Sequence, residues 1–201
     1  MERDARIAIL AIDGFEQSEL QGPLDGLRQA GFQVDVVSLK AGQIRGWKDK
    51  NWGDPVDVDV TLEQANAQQY AALVLPGGVI NPDILRTKPE AVEFVRAFDG
   101  AGKLIAAICH GPWLLAESGA AKGRKLTSWP SLKTDLQNAG AHWEDLEVVV
   151  DGHVITSRKP EDIPAFTQAI IEHLSKQLPA MSRRAPPAAA GSSASAQASA
   201  R

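Results

Sequence analysis

Cysteine is nearly missing from this 201-residue chain, which holds one, Cys109. One cysteine cannot close an internal disulfide or build a thiolate-rich zinc site. A reducing, cytoplasmic setting is the simplest expectation. No apolar run approaches the ~20 residues of a membrane span. The N-terminal Met1-Glu2-Arg3-Asp4-Ala5-Arg6, with only about seven apolar residues after it, reads as a first strand and not as a signal peptide. A basic surplus is absent too: the formal net charge is −4, and no spacing suggests nucleic-acid recognition. His142, His153 and His173 show no metal-ligand spacing, so no metal site and no cofactor is expected. Trp47, Trp52, Trp113, Trp129 and Trp143 read as packing or interface groups.

What is present is an ordinary globular composition, 44% hydrophobic and 23% charged, in a length that suits one α/β domain. Ile7 to Ile12 is a continuous apolar run, as in a buried parallel strand. A helix is expected from about Gln17 to Ala30, with Pro23 disturbing its first turns and Gly31 at its C-cap. A strand over Gln33 to Leu39 completes a βαβ opening, hence a parallel sheet. Residues 40–60 suggest a small hairpin. Ala71 to Leu75 and Leu104 to Ile108 are further buried strands, and Pro89 opens a helix to about Phe98. Helices are expected over Gly111 to Ser118 and Ser131 to Asn138. Strands Glu147 to Val150 and His153 to Ser157 flank Asp151-Gly152, read as a type I′ turn. A last helix spans about Ile163 to Gln177. The domain is placed at residues 1–178. Residues 179–201, rich in Ala, Ser and Pro, read as a disordered tail. Three arginines in that tail divide the −4 into +3 there and −7 on the rest.

The chemistry gathers where strands end. Leu104 to Ile108 runs into Cys109-His110-Gly111-Pro112 and then a helical pattern, a strand–turn–helix corner that resembles the nucleophile elbow of hydrolases with cysteine in place of serine. A helix N-terminus beside the thiol favours thiolate, and His110 is the nearest base. A buried structural cysteine is the plain alternative. Pro76-Gly77-Gly78 follows a buried strand, where ligands of open α/β sheets bind, and its N–H groups are candidate oxyanion donors. The same glycines also suit a tight turn. Glu16 lies past the first strand on the same sheet edge. It is either a carboxylate complementing a helix dipole or a protonated group donating to the sulfur. Asp83 is a candidate orienter of the histidine or an ordinary N-cap.

Together these stretches resemble the PfpI-like intracellular protease family of the ThiJ/PfpI superfamily. The resemblance rests on Asp13-Gly14-Phe15-Glu16-Gln17-Ser18-Glu19, Leu73 to Gly78, Asn81 to Arg86 and, above all, Ala107-Ile108-Cys109-His110-Gly111-Pro112, with Gly123 to Ser128 behind it. It spans about residues 5 to 178. It implies a flavodoxin-like three-layer α/β sandwich with a mostly parallel sheet. It further implies Cys109 as nucleophile, Glu16 as the protonated carboxyl on its sulfur, His110 beside it, and Gly78 and His110 N–H groups facing an oxyanion. Asp83 matches the acidic residue that reaches the histidine of a neighbouring subunit, although the archetype has Glu there and a shorter loop. The resemblance implies a homodimer, with hexamers built from dimers. The activities it implies are a cofactor-free glyoxalase or deglycase acting on methylglyoxal and its adducts, an intracellular cysteine peptidase, or a redox-sensing stress protein or chaperone. The substrate is then a small carbonyl compound or a peptide.

Overall fold

The computed structural model describes residues 3–182. Eleven strands appear in chain order: β1 Arg3–Leu10, β2 Phe32–Ser38, β3 Gln43–Lys48, β4 Asn51–Asp57, β5 Val60–Thr61, β6 Ala72–Leu75, β7 Leu104–Ile108, β8 Lys125–Leu126, β9 His142–Trp143, β10 Val148–Asp151 and β11 Val154–Ser157. Six α-helices accompany them: α1 Gln17–Gln29, α2 Ile80–Leu85, α3 Pro89–Gly100, α4 Trp113–Ser118, α5 Lys133–Asn138 and α6 Ile163–Ser182. The central sheet has the order β10-β11-β7-β6-β1-β2-β5 and is parallel except for the β10–β11 hairpin. This is the flavodoxin-like α/β sandwich the sequence predicts. Among the described residues, no helix is long and apolar enough to cross a membrane.

Side chains alternate across the sheet with a period of two. Leu10, Leu73, Leu75, Ile105 and Ala107 face Phe94, Phe98 and Leu114 of α3 and α4. Ile9, Val74, Ala106 and Ile108 face Leu20, Leu24 and Leu27 of α1 and Phe166 and Ile170 of α6. Both faces of β7 are therefore covered, which is why its sequence is apolar throughout and not alternating. Truncating a ring such as Phe98, fully buried in this core, is expected to cost about 3–5 kcal/mol.

Three expectations change in detail. The β10–β11 turn has Gly152 and His153 at its centre, with positive φ at Gly152 alone, the pattern of a type II′ turn. The type I′ pattern sits in the β3–β4 hairpin instead, where Asp49 and Lys50 have φ of 50° and 64°. Helix α6 continues to Ser182, past the expected tail boundary at residue 179, and the remainder of that tail lies outside the described residues. Pro23 does not interrupt α1.

Candidate active site

The C-terminal ends of three adjacent strands, β1, β6 and β7, deliver the site. Beyond β7 the backbone turns at Cys109 with φ of 62°, the left-handed region that costs a side-chain-bearing residue roughly 1–2 kcal/mol. Neighbours hold that turn in place. Cys109 N–H donates to Ser157 O at 3.1 Å, and Cys109 C=O accepts from Trp129 N–H at 2.9 Å. Gly111 closes the corner because a Cβ there would lie 2.3 Å from Leu75 O. The elbow that the sequence suggests is thus a strained, doubly tethered turn.

Beyond β6, Gly77 fits a space with no room for a side chain: its Cβ would meet Glu19 Oε2 at 2.6 Å and Cys109 Cβ at 2.7 Å. Gly77 N–H donates to Glu19 Oε2 at 2.9 Å, so this donor is already taken. The N–H groups of Gly78, at φ of 72°, and of His110 are directed at the Cys109 sulfur and stabilise its anion. They are the donors available to a substrate oxyanion bound at that point.

The carboxyl beside the thiol is Glu19, three residues after the Glu16 expected from the sequence. Glu16 is the N-cap of α1 with an extended backbone, ψ 119°, and its carboxylate accepts from Ser18 Oγ at 3.2 Å. Glu19, in the first helical turn, is 0% exposed and is the hydrogen-bonding neighbour of the Cys109 side chain. A helical wheel run back from Leu20, Leu24 and Leu27 turns residue 16 toward the apolar stripe and residue 19 to its margin. The wheel does not apply at residue 16, because the helix has not begun there.

Burial raises the Glu19 pKa to about 8, against the pull of Cys109 and of the Gly77 N–H, with the Glu16 charge adding to the rise. Glu19 Oε1 is buried and meets no donor among the described residues, so a proton on the carboxyl, offered to sulfur, answers that orphan acceptor. The Cys109 thiol, 7% exposed, is pushed up by burial and by the Glu19 charge. With Glu19 protonated the second cause vanishes, and the backbone N–H groups favour thiolate. Two buried groups of like charge cannot both ionise, so the pair retains at least one proton near neutral pH.

His110 is 8% exposed, and burial lowers its pKa, which keeps the imidazole neutral. Its Nδ1 lies 3.2 Å from Cys109 Sγ and its Nε2 3.4 Å from Ser131 Oγ. Trp129 stacks on the ring and Trp113 meets it edge-on. Within the chain Asp83 does not join this group. Its carboxylate, 53% exposed, pairs with Arg86 at 2.9 Å, and Arg86 in turn covers the Trp113 ring at 4.6 Å. A pocket of about 280 Å³ opens over the thiol, lined by Glu16, Trp47, Gly78, Val79, Trp129 and Pro160 beside the reacting groups. No group of three or more His, Cys, Asp or Glu placed to hold a metal occurs among the described residues.

The DJ-1/PfpI family pattern matches residues 5–173. The chain is 41% identical over 170 residues to protein/nucleic acid deglycase 2 of Escherichia coli, covering 84% of this chain and 97% of that protein. It is 38% identical over 164 residues to the putative cysteine protease YraA of Bacillus subtilis, covering 81% and 94%. Among solved structures, Drosophila melanogaster DJ-1beta superposes with a TM-score of 0.79 at 31% identity, covering 91% of this chain and 97% of that one. The Escherichia coli and Bacillus subtilis relatives carry the names of enzymes, and the fold, the strand-end chemistry and the sequence agree: this chain belongs to the DJ-1/PfpI family.

Proposed function

We propose that the protein is a cofactor-independent, cysteine-dependent glyoxalase and deglycase acting on methylglyoxal or its early amine adducts in a reducing cytoplasm. The observation that carries this reading is the pairing of a left-handed, tethered Cys109 with a buried carboxyl, Glu19, whose pKa is raised to about 8. That pairing supplies a nucleophile and a proton carrier at one carbonyl.

Sulfur attacks the aldehyde carbon, forming a C–S bond while the carbonyl oxygen takes up the Glu19 proton. Gly78 and His110 N–H groups hold that oxygen as its charge develops. Glu19, now a carboxylate, removes the hydrogen from the same carbon, and the electron pair forms an enediol. Protonation at the adjacent carbon gives a thioester, and water releases lactate and restores the thiol. One carbon is oxidised as its neighbour is reduced, so no external oxidant is needed. An early adduct joins by losing its amine: the carbinolamine C–N bond breaks, nitrogen takes a proton, and the aldehyde passes to sulfur. His110, neutral, receives the thiol proton when Glu19 already holds one.

The second reading is an intracellular cysteine peptidase, supported by the YraA likeness. The thiol pocket of about 280 Å³ suits a small carbonyl compound better than an extended peptide. In a homodimer or hexamer, the half-exposed Asp83 carboxylate would reach a neighbouring subunit by exchanging its Arg86 partner. The test is to measure lactate formation from methylglyoxal and cleavage of casein by wild type and Cys109→Ala across the oligomeric states of the protein. Thiol-dependent lactate without proteolysis supports the first reading. Proteolysis without lactate overturns it.

A further inference from the structure

Proton transfer from Cys109 to His110 needs one ring tautomer. Nδ1, 3.2 Å from Cys109 Sγ, takes the thiol proton only while it keeps its lone pair, so the neutral ring must carry its hydrogen on Nε2. That tautomer is set by what Nε2 meets, and a Ser-His-Asp triad places a carboxylate on the far ring nitrogen. Here Nε2 meets Ser131 Oγ at 3.4 Å, a long contact of the kind that tightens when substrate binds. The charged groups around the ring are placed elsewhere. Glu19 lies across the sulfur, Glu16 on the pocket wall, and Asp135 and Arg86 against Trp113. Asp83 is taken by Arg86.

Two indoles flank the imidazole and leave the choice of edge open. Trp129 stacks on it at 24° with centroids 6.1 Å apart, and Trp113 meets it edge-on at 5.1 Å. Apolar walls fix the plane of the ring. They do not distinguish it from the ring turned by 180°, which exchanges nitrogen for carbon on each edge. A hydroxyl at Nε2 does. Ser131 is held from both sides, in the 3-10 turn Pro130–Leu132. Before it, Trp129 N–H donates to Cys109 C=O at 2.9 Å, and after it Leu132 is fully buried. The turn that carries the hydroxyl is therefore tied to the peptide of the thiol.

We propose that Ser131 is the positioning residue of His110, accepting from Nε2–H so that Nδ1 faces the thiol as a base. The inference rests on the proposed cysteine chemistry and deepens it. The hydroxyl serves both ends of the transfer. It accepts from Nε2–H of the neutral ring and again, more strongly, from the imidazolium formed when the thiol proton arrives. Being uncharged, it leaves burial to keep the resting ring neutral, where a carboxylate would favour the charged form. A single chain thus carries its own orienter, and the transfer does not wait for a neighbouring subunit.

The test follows alkylation of Cys109 by iodoacetamide against pH in the full chain, which reads the thiolate without requiring turnover. Ser131→Ala removes the acceptor and makes the imidazolium less favourable, so the thiolate should form later as pH rises. Its midpoint is expected to rise by about one pH unit, which is about tenfold in rate below the midpoint, while the high-pH plateau holds. That is well short of the roughly 10⁴-fold lost with a buried carboxylate orienter, because Ser131 is exposed and water competes for the bond. Ser131→Thr keeps the hydroxyl and should restore the rate to within about twofold. In turnover of methylglyoxal, Ser131→Ala should lower kcat about tenfold with KM within about twofold. The ¹⁵N spectrum of wild-type His110 should be that of an Nε2–H ring. An Nδ1–H ring, a midpoint unmoved by Ser131→Ala, or a loss that Ser131→Thr does not restore overturns the assignment. A midpoint that moves with Asp83→Asn and not with Ser131→Ala also overturns it and gives the role to a neighbouring subunit. Absence of lactate formation by the wild type would instead remove the proposed activity and leave the alkylation result standing.

Discussion

The two edges of the central sheet are built on opposite terms. At the N-terminal edge polar groups are answered. Arg6 pairs with Asp35, which also accepts from Tyr70 Oη at 2.8 Å. Lys103 donates to the carbonyls of Ala67, Gln68 and Tyr70. Asp99 receives both Arg124 at 3.0 Å and His153 at 2.8 Å. At the C-terminal edge, Cys109 is strained, Glu19 and Gln17 each keep a buried oxygen without a donor among the described residues, and Gly77 sits where any side chain would collide. The first edge thus carries answered polar pairs, whereas the second, which holds the Arg158–Asp162 ion pair beyond β11, also carries the unsatisfied, reactive groups. Stability and reactivity are assigned to different edges, and substitutions at the two should separate them.

The largest effect is expected for Cys109→Ala. Lactate formation should fall by ~10³-fold or more while the melting temperature holds or rises, since the substitution removes the thiol from a buried, charge-coupled pair. A lower melting temperature with intact turnover would make Cys109 a packing residue and break the comparison.

Next comes the carboxyl pair. Glu19→Gln should lower kcat by ~10²- to 10⁴-fold, the range for a lost proton carrier, and Glu16→Gln should cost less than about tenfold on methylglyoxal. Equal losses would return the sulfur's partner to Glu16. Turnover that needs protonated Glu19 should decline as pH rises through about 8. Stability follows the same group. The folded pKa lies above the ordinary 4.5, so between these values the folded chain binds the extra proton. The contribution is fully present below 4.5 and is lost as pH rises through about 8. Glu19→Gln should flatten that decline, which denaturant titrations at pH 5, 7 and 9 would read. An unchanged slope would remove Glu19 from the titration.

Gly77→Ala ranks third. Its Cβ would press on Glu19 Oε2, Cys109 Cβ and His110 N at once, so kcat should drop ~10-fold or more, with a cost to stability of about 1–3 kcal/mol. Smallest in activity is Asp99→Asn, at the other edge. It removes the negative charge that Arg124 and His153 meet, leaving a neutral amide oxygen, and should cost about 1–3 kcal/mol in denaturant unfolding while kcat stays within about twofold. A large kcat change there would show that the edges are coupled.

Much of this organisation was legible in the sequence, because apolar runs, glycines and a lone thiol each obey a local rule. Leu104 to Ile108 reads as a buried strand by its unbroken apolarity, and the corner at Cys109 follows from Gly111-Pro112. Glu19 was not legible. Strand-end reasoning counts residues past β1 and stops at Glu16, whereas burial of Glu19 depends on where α1 begins, a matter of one backbone angle. The packing of α1 under the β3–β4 hairpin escaped for a different reason: the two are distant in sequence, and no local pattern brings Gln17 beneath Gly53. Helix α2 also went unread, since six residues with Pro82 inside carry too little periodicity.

The doubly tethered corner has a practical consequence. The chain holds a single sulfhydryl, and its peptide group is pinned on one side to Ser157 and on the other to Trp129. Every equivalent of a thiol reagent consumed by the folded protein therefore counts one reaction centre, with no background to subtract. A preparation can be calibrated by active-centre titration, and a label placed on that sulfur inherits the rigidity of the sheet.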